Sequence, residues 1–306
     1  MPLGIDPTVD YVFKKLFATP ENSDLLIHLL NSVLQFSQPI VYVEVLNPFN
    51  EKEFEEDKLS ILDIKARCGD DRWYNVEIQS KSDWSLRPRL AYYAASLYAD
   101  QLSEGEDYGT LTPAITICFL KESLFRDSQS PHLRFSLCDP MHRIELTDRL
   151  QVHTIELAKY NFEGVTLDSV DALAQWAFFL GHAGELEAES LQRLLPRKEF
   201  LKATGVVEMI ARTPEERVQY ELRRKAEMDR RWSLNIARRE GREEGIELGR
   251  EEGIEAGQKL GLVDNIHLLQ ELLQVPPTAT EELMARELAA LKLLSADLKN
   301  RLQQPR

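Results

Sequence analysis

The order of apolar and polar positions predicts two helices and then several strands in the first half of the chain. From Val9 to Phe17, apolar residues recur every three or four positions, which predicts an amphipathic helix with Asp6 as its N-cap and Pro7 at its first position. A second helix is predicted from about Ser23. The predicted strands are residues 39–47, 58–66, 72–79, 112–120, 132–139 and 152–159, and a third helix is predicted over 88–102.

The alternation of helices and strands ends near residue 162. Up to that point it is typical of an α/β domain, and the apolar run 112–120 is short enough for a buried central strand. The rest of the chain shows helical patterns without strong strand patterns. We therefore expect an α/β domain over residues 1–162, a helical region with a basic segment over 163–240, a glycine-periodic segment over 241–262 and a helical C-terminal region over 263–306.

Two neighbouring strands form a predicted hairpin whose polar face carries carboxylates. Because side chains alternate along a strand, Asp63 lies on the partly polar face of the first strand, and Glu77 and Gln79 lie on that of the second. The two acids share one face of the sheet only if the turn has an odd number of residues. A three-residue turn over 69–71 pairs Asp63 with Glu77, whereas a two-residue turn separates them. We predict the three-residue turn.

A pair of carboxylates in a sheet needs compensation. Two such groups a few ångströms apart repel each other, and a divalent cation between them removes that penalty. Mg²⁺ fits, because it takes one or two carboxylates, keeps several waters and accepts phosphate oxygens. The alternative is a solvated sheet face with ordinary acids, and alternation alone does not decide between the two.

Composition and charge narrow the class of protein. The formal charge of −14 argues against a non-specific nucleic-acid coat, which rests on Lys and Arg, but it does not exclude a nuclease whose metal ions offset carboxylates. No apolar run approaches the roughly 18 residues of a membrane span, so no membrane partner is expected. The three cysteines have no CxxC spacing and predict neither a zinc site nor a disulfide framework. We expect a cytoplasmic protein.

Four stretches of the chain resemble one nuclease family, in the same order. They are "DYVFKKLF" (10–17), "LDIKARCGDDRWYNVEIQ" (62–79), "RPRLAYYAASLYADQL" (87–102) and "LTPAITICFL" (111–120). The family is the recombination-promoting nuclease (Rpn) branch of the PD-(D/E)xK superfamily, whose members are also described as transposases. The resemblance implies an α/β fold with a restriction-endonuclease-like core, in which helices flank a mixed central sheet, followed by a helical C-terminal extension.

The resemblance also implies an activity and a site. Members of the family cleave DNA phosphodiester bonds with Mg²⁺ or Mn²⁺, in recombination, mobile-element movement or defence. Carried over residue by residue, Asp63 and Glu77 would bind the metal, and Gln79 would occupy the place of the motif's lysine. Asp10 would match the acid of the first helix, with Asp6 as a competitor. An amide can orient a water, but it supplies no positive charge.

Four further residues are candidates for contact with the DNA substrate. Lys65 and Lys81 lie two residues from Asp63 and Gln79 on the same strand faces, so either could supply the charge that Gln79 lacks. Arg89 and Tyr93, one helical turn apart, could approach the scissile phosphate. The simpler interpretation is that the lysines are solvated and that the tyrosine packs its helix on the sheet.

The C-terminal part suggests a second class of function. Six glycines, from Gly241 to Gly261, recur with a period of four, and each costs about 1 kcal/mol relative to Ala in a helix. Close packing of a second helix would compensate, which predicts a homo-oligomer or partner contact through residues 241–262. A flexible linker or an unpartnered helix are the alternatives. The competing function is therefore an inactive nuclease fold that binds nucleic acid or protein and oligomerises through this tail.

Overall fold

The computed structural model of the protein describes residues 1–48, 64–69, 71–81 and 85–303. The chain forms two compact units, residues 1–226 and 227–306. The described strands are β1 (Val43–Val45), β2 (Ile64–Cys68), β3 (Trp73–Gln79), β4 (Ala114–Leu120), β5 (His132–Asp139) and β6 (Ile144–Glu156). The described α-helices are α1 (Asp10–Phe17), α2 (Ser23–Leu34), α3 (Leu86–Ala99), α4 (Ala172–His182), α5 (Ala188–Leu194), α6 (Lys198–Arg212), α7 (Pro214–Leu272), α8 (Thr280–Met284) and α9 (Leu288–Gln303).

The first helix begins later than the sequence predicts. Val9, in extended conformation, is the N-cap residue of α1, so Asp6 is not the cap. The Oδ1 atom of Asp6 instead accepts hydrogen bonds from the backbone nitrogen and the hydroxyl group of Thr8, at 2.9 and 2.5 Å. Such a local side-chain turn competes with helix formation, which explains the error. The prediction of a second helix from Ser23 is confirmed.

The six described strands form one mixed sheet in the order β1-β2-β3-β4-β6-β5. β1, β2 and β3 are antiparallel neighbours, β3, β4 and β6 run parallel, and β5 pairs antiparallel with β6. The parallel strands β3 and β4 are buried on both faces, which the apolar sequence of β4 indicates and the polar residues of β3 do not. The predicted α/β class with a mixed central sheet flanked by helices is confirmed.

The hairpin between β2 and β3 has the predicted three-residue turn. Ile64 pairs with Val76, and the backbone nitrogen of Cys68 donates to the carbonyl oxygen of Arg72 at 3.0 Å. Asp71 closes the turn with φ +63°, a left-handed conformation that Asp tolerates better than most residues. The register therefore excludes the two-residue turn that would have reversed the faces of β3.

Helices cover both faces of the sheet. On one face, Phe13 of α1 packs against Phe119 of β4, with ring centroids 6.3 Å apart. On the other face, Leu86 and Leu90 of α3 form a cluster with Cys118 and neighbouring residues of the sheet. The α3 face is the one on which Glu77 lies, because Glu77 is the direct ladder partner of Cys118.

The helices that follow residue 162 complete the core of the first unit. Trp176 of α4 is fully buried, and its ring lies 5.3 Å from that of Phe17 and 4.6 Å from that of Phe200 in α6. Its indole nitrogen donates to Nδ1 of His28 at 2.9 Å. The helical region that composition separates from the α/β part thus shares one hydrophobic core with it. The domain boundaries at 162, 240 and 262 remain predictions from composition.

The second unit is helical and contains its own small core. Its buried apolar residues come from the end of α7 and from α8 and α9, and they are Val263, Ile266, Leu269, Leu283, Leu291 and Leu298. The glycines from Gly241 to Gly261 lie on the exposed part of α7, and apart from the adjoining backbone of that helix no atom of the described residues lies within 4 Å of a Cβ built on any of them. None of the described helices combines the length and the apolar character that a membrane span requires.

One glycine holds the N-terminal segment against the helices. Gly184 accepts a hydrogen bond from the backbone nitrogen of Gly4 at 2.9 Å, and a Cβ at Gly184 would lie 2.6 Å from the carbonyl oxygen of Ile5.

We expect Gly184→Ala to lower the free energy of unfolding by about 1–3 kcal/mol, because the backbone must move. Gly181→Ala is the control, since Gly181 is helical with open space, and it should stabilise by about 0.5–1 kcal/mol. Urea unfolding of both variants measures the difference, and equal effects would contradict the contact.

Candidate active site

Glu77 lies in the middle of the sheet with almost no solvent contact. Its strand β3 pairs with β2 on one side and β4 on the other, and α3 covers the face on which Glu77 lies. The residue is 1% exposed. Since its ladder partner Cys118 belongs to an apolar cluster, the carboxylate depends on neighbours along its own strand and on α3 for compensating interactions.

Two amide side chains of β3 hold the Glu77 carboxylate from either side. Nδ2 of Asn75 donates to Oε1 of Glu77 at 2.8 Å, and Nε2 of Gln79 donates to Oε2 at 3.4 Å. Nη2 of Arg89, on α3, donates to Oε1 of Gln79 at 2.9 Å. These four side chains form one hydrogen-bonded chain from the sheet to the helix. The structure thus brings together three of the predicted site residues, namely Glu77, Gln79 and Arg89.

The environment of Glu77 changes its acidity. Burial raises the pKa of the carboxyl group above its ordinary value, because the charged form loses its hydration. The hydrogen bond from Asn75, the positive charge of Arg89 and the hydrogen bond from Gln79 act in the opposite direction, without cancelling the effect of burial. A buried carboxylate of raised pKa next to a cation is typical of functional sites.

Each of the two candidate acids near α1 has a lysine beside it. Nζ of Lys121 lies 2.8 Å from Oδ2 of Asp6, and Nζ of Lys14 lies 3.5 Å from Oδ1 of Asp10. Burial raises the pKa of Asp6, but hydrogen bonds from Lys121 and Thr8 outweigh it and hold the pKa below its ordinary value. The backbone nitrogen of Lys121 also donates to the carbonyl oxygen of Gln79, so Asp6 is linked through one residue to the end of β3.

The ammonium group of Lys65, a residue of β2, lies near the start of β3, whereas Gln79 ends that strand. Its Nζ atom is 3.5 Å from a carboxylate oxygen of Asp100 and 5.0 Å from the centre of the Trp73 ring. Trp73 begins β3 and Gln79 ends it, six residues apart at about 3.3 Å per residue. The described contacts of Lys65 therefore direct its charge away from Gln79.

The other two candidates for substrate contact are half-buried. Lys81 lies two residues after Gln79, the last residue of β3. Tyr93 lies on α3, and its ring centroid is 6.1 Å from that of the exposed Tyr92. Arg89 is thus the member of this group that has a described hydrogen bond to a predicted catalytic residue.

The predicted metal ligand Asp63 lies outside the described residues. Within the ranges that the structure describes, no group of three or more His, Cys, Asp or Glu side chains is arranged to hold a metal ion. Mg²⁺ does not require such a group, since it is often bound by one or two carboxylates together with water and substrate phosphate. The buried Glu77 carboxylate has the right chemistry, because a cation would offset the loss of hydration that raises its pKa.

Comparison with known proteins identifies the family. The model of the PD-(D/E)XK nuclease family transposases matches residues 7–237. The chain belongs to the PD-(D/E)XK nuclease family. The resemblance seen in the sequence is therefore confirmed, and the mixed sheet flanked by helices agrees with a restriction-endonuclease-like fold. Neither a curated protein nor a solved structure shows a significant match to the chain.

Membership of the PD-(D/E)XK family implies a nuclease, a hydrolase that acts on DNA. Nucleases of this family typically use divalent metal ions. In this chain the matched residues include β3 with Glu77 and Gln79 and α3 with Arg89. The hydrogen-bonded chain of side chains described above therefore lies within the matched part of the PD-(D/E)XK nuclease.

Two residues near this site received no role from the sequence. Asn75 lies on the same face of β3 as Glu77, and alternation identifies that face, but only side-chain geometry shows the hydrogen bond. Lys121 directly follows the apolar run that forms β4. Its approach to Asp6 and Gln79 depends on the pairing of β3 with β4, which no local pattern predicts.

The coupling between Arg89 and Glu77 can be measured. We expect Arg89→Met to lower the free energy of unfolding by about 1.5–3 kcal/mol, because Gln79 loses a charged donor and the buried carboxylate loses a nearby positive charge. In a Glu77→Gln background the same change should cost clearly less, since no charge remains to be balanced. Urea unfolding of the four proteins in EDTA closes this double-mutant cycle. Additive effects would show that Arg89 does not stabilise the carboxylate.

Proposed function

We propose that the protein is a Mg²⁺- or Mn²⁺-dependent endodeoxyribonuclease that hydrolyses phosphodiester bonds in DNA. The observation that carries the proposal is the Glu77 carboxylate, buried in a nuclease-family domain, held by two amides and linked through Gln79 to Arg89. Burying a carboxylate in this way is costly for the fold, and metal binding at a catalytic site accounts for it.

In this proposal Glu77 and Asp63 hold the metal ion. The register of the described residues supports the proposal, because Ile64 opposite Val76 and Lys65 opposite Asn75 is the register that a three-residue turn requires. A bound Mg²⁺ or Mn²⁺ would supply Lewis-acid activation of water and offset the charge that develops on the phosphate. Glu77 would hold the ion through its carboxylate, which the hydrogen bonds from Asn75 and Gln79 orient.

The remaining residues are assigned by their contacts. Gln79 takes the place of the motif's lysine and orients a water or phosphate oxygen, while Arg89 supplies the positive charge that an amide lacks. Asp10 is the proposed acid of the first helix, with Asp6 as the alternative because of its link through Lys121.

Three further residues are proposed to contact the DNA substrate rather than the metal ion. Tyr93 and Lys81 are proposed to approach the DNA backbone. Lys65 is proposed as a more distant contact, because its described partners are Trp73 and Asp100. Recombination, mobile-element movement and defence are all consistent with DNA cleavage, without a preference among the three.

A plasmid-nicking assay tests this function. Supercoiled plasmid should be converted to nicked or linear DNA in Mg²⁺ or Mn²⁺ and not in EDTA. We expect Asp63→Ala and Glu77→Ala each to lower the cleavage rate at least 100-fold, because each removes a proposed metal ligand. Glu44→Ala is the control, since Glu44 is an acid of β1 whose described partner is Arg67, and it should cleave as the wild type does. Unchanged cleavage in both ligand variants would disprove the assigned site.

We also propose that the glycine-periodic segment associates with a second copy of the chain. Six glycines cost a helix about 6 kcal/mol relative to alanine, and in the structure no atom fills the space beside any of them. Several large apolar side chains between and beside the glycines are more than half exposed, among them Ile246, Leu248, Ile254 and Leu260. A second helix that follows the glycine groove round the axis would fill the space beside the glycines and cover apolar side chains that flank the groove. The same surface serves the alternative function, in which an inactive nuclease fold binds nucleic acid or protein as an oligomer.

The glycine segment can be tested without truncating the chain. Gly249→Leu with Gly253→Leu leaves the isolated helix unhindered, because nothing lies within 4 Å of either position. We expect this double variant to lose oligomer mass in size-exclusion chromatography with light scattering, because the larger side chains block close helix approach. Glu251→Ala with Glu252→Ala, between the same glycines, is the matched control. An unchanged mass in the leucine variant would remove the proposal.

A further inference from the structure

Asn75 is a buried polar residue whose side chain makes one described hydrogen bond. It is 0% exposed, and its Nδ2 atom donates to Oε1 of Glu77 at 2.8 Å. Its Oδ1 atom has no hydrogen-bond partner among the residues that the structure describes. A buried amide with an unsatisfied oxygen costs about 1–3 kcal/mol, so its place in the core needs an explanation.

The neighbour of Asn75 across the ladder does not explain the amide. Thr116 of β4 is its direct partner in the parallel pairing of β3 with β4, and it is equally buried. Its hydroxyl oxygen also lacks a partner within the described part of the chain, so the two side chains do not satisfy each other. What the Asn75 amide does in the described structure is to hold one oxygen of Glu77.

The two amides beside Glu77 are anchored differently. Gln79 is fixed by Arg89, but its hydrogen bond to Glu77 is long, at 3.4 Å. The bond from Asn75 is shorter by 0.6 Å and comes from a fully buried group. Asn75 therefore has the larger part in orienting the Glu77 carboxylate, through Oε1. The Oε2 atom is held more loosely, by the longer hydrogen bond from Gln79.

We propose that Asn75 is a positioning residue for metal binding, which fixes the Glu77 carboxylate in the orientation that presents it to the divalent cation. The role rests on the proposed function of the site. Partners that orient a ligating side chain typically contribute 10- to 100-fold to metal affinity or activity. The cost of burying Asn75 is then part of the same functional constraint that buries Glu77.

Metal binding by the full-length protein without DNA tests this role. Titration with Mn²⁺, followed by the electron paramagnetic resonance signal of the free ion, gives the affinity directly. We expect Asn75→Leu, which is of similar size but lacks the donor, to bind Mn²⁺ at least 10-fold more weakly than the wild type. Its urea midpoint should also fall, because the buried carboxylate loses its shorter hydrogen bond, and saturating Mn²⁺ should restore plasmid nicking.

The matched control is Thr116→Val, a buried polar-to-apolar change opposite Asn75 that leaves the Glu77 hydrogen bonds in place. It should bind Mn²⁺ as the wild type does. Asn75→Val, a β-branched residue suited to a strand, replaces Asn75→Leu if that variant does not fold. Unchanged affinity in the Asn75 variant, or an equal loss in Thr116→Val, overturns the positioning role. Wild-type protein that binds no Mn²⁺, or binding unchanged by Glu77→Gln, overturns the proposed function instead.

Discussion

The burial of one carboxylate in the centre of the sheet is the constraint on which the site depends. Glu77 has little contact with water, so its charge must be compensated by protein groups. Two amides on the same strand face supply part of that compensation, one two residues before Glu77 and one two residues after it. A guanidinium group from the helix above supplies a further part through Gln79. The raised pKa shows that the compensation is incomplete. This residual cost is what a bound cation would relieve.

The rest of the first unit keeps this arrangement rigid. β3 is held between an antiparallel and a parallel neighbour, so the faces of its side chains cannot change without breaking two ladders. α3 closes one face and brings Arg89 to Gln79, while α1 and α2, supported by α4 and α6, fill the other. The late helices therefore serve the same fold as the sheet, although composition alone separates them from it.

Much of this organisation follows from patterns that are local in sequence. The alternation of β3 identifies the face shared by Asn75, Glu77 and Gln79, and face counting yields the turn length that the register shows. Local signals fail where a competing interaction is also local, as at Asp6, whose bonds to Thr8 replace the predicted helix cap. For Lys65 the strand pattern gives the face, whereas the contacts with Trp73 and Asp100 depend on the folded structure.

The sequence by itself determined the family, the class of fold and the face on which the candidate acids lie, because these depend on side-chain period and on motifs within one segment. Only the tertiary structure decided which positively charged side chain approaches the site, since Arg89 and Gln79 meet through the packing of α3 on the sheet. It also decided that Asn75 holds Glu77 and that Lys121 joins Asp6 to the end of β3. Contacts between strands and helices far apart in the chain have no local period, and so they emerge only when the chain is folded.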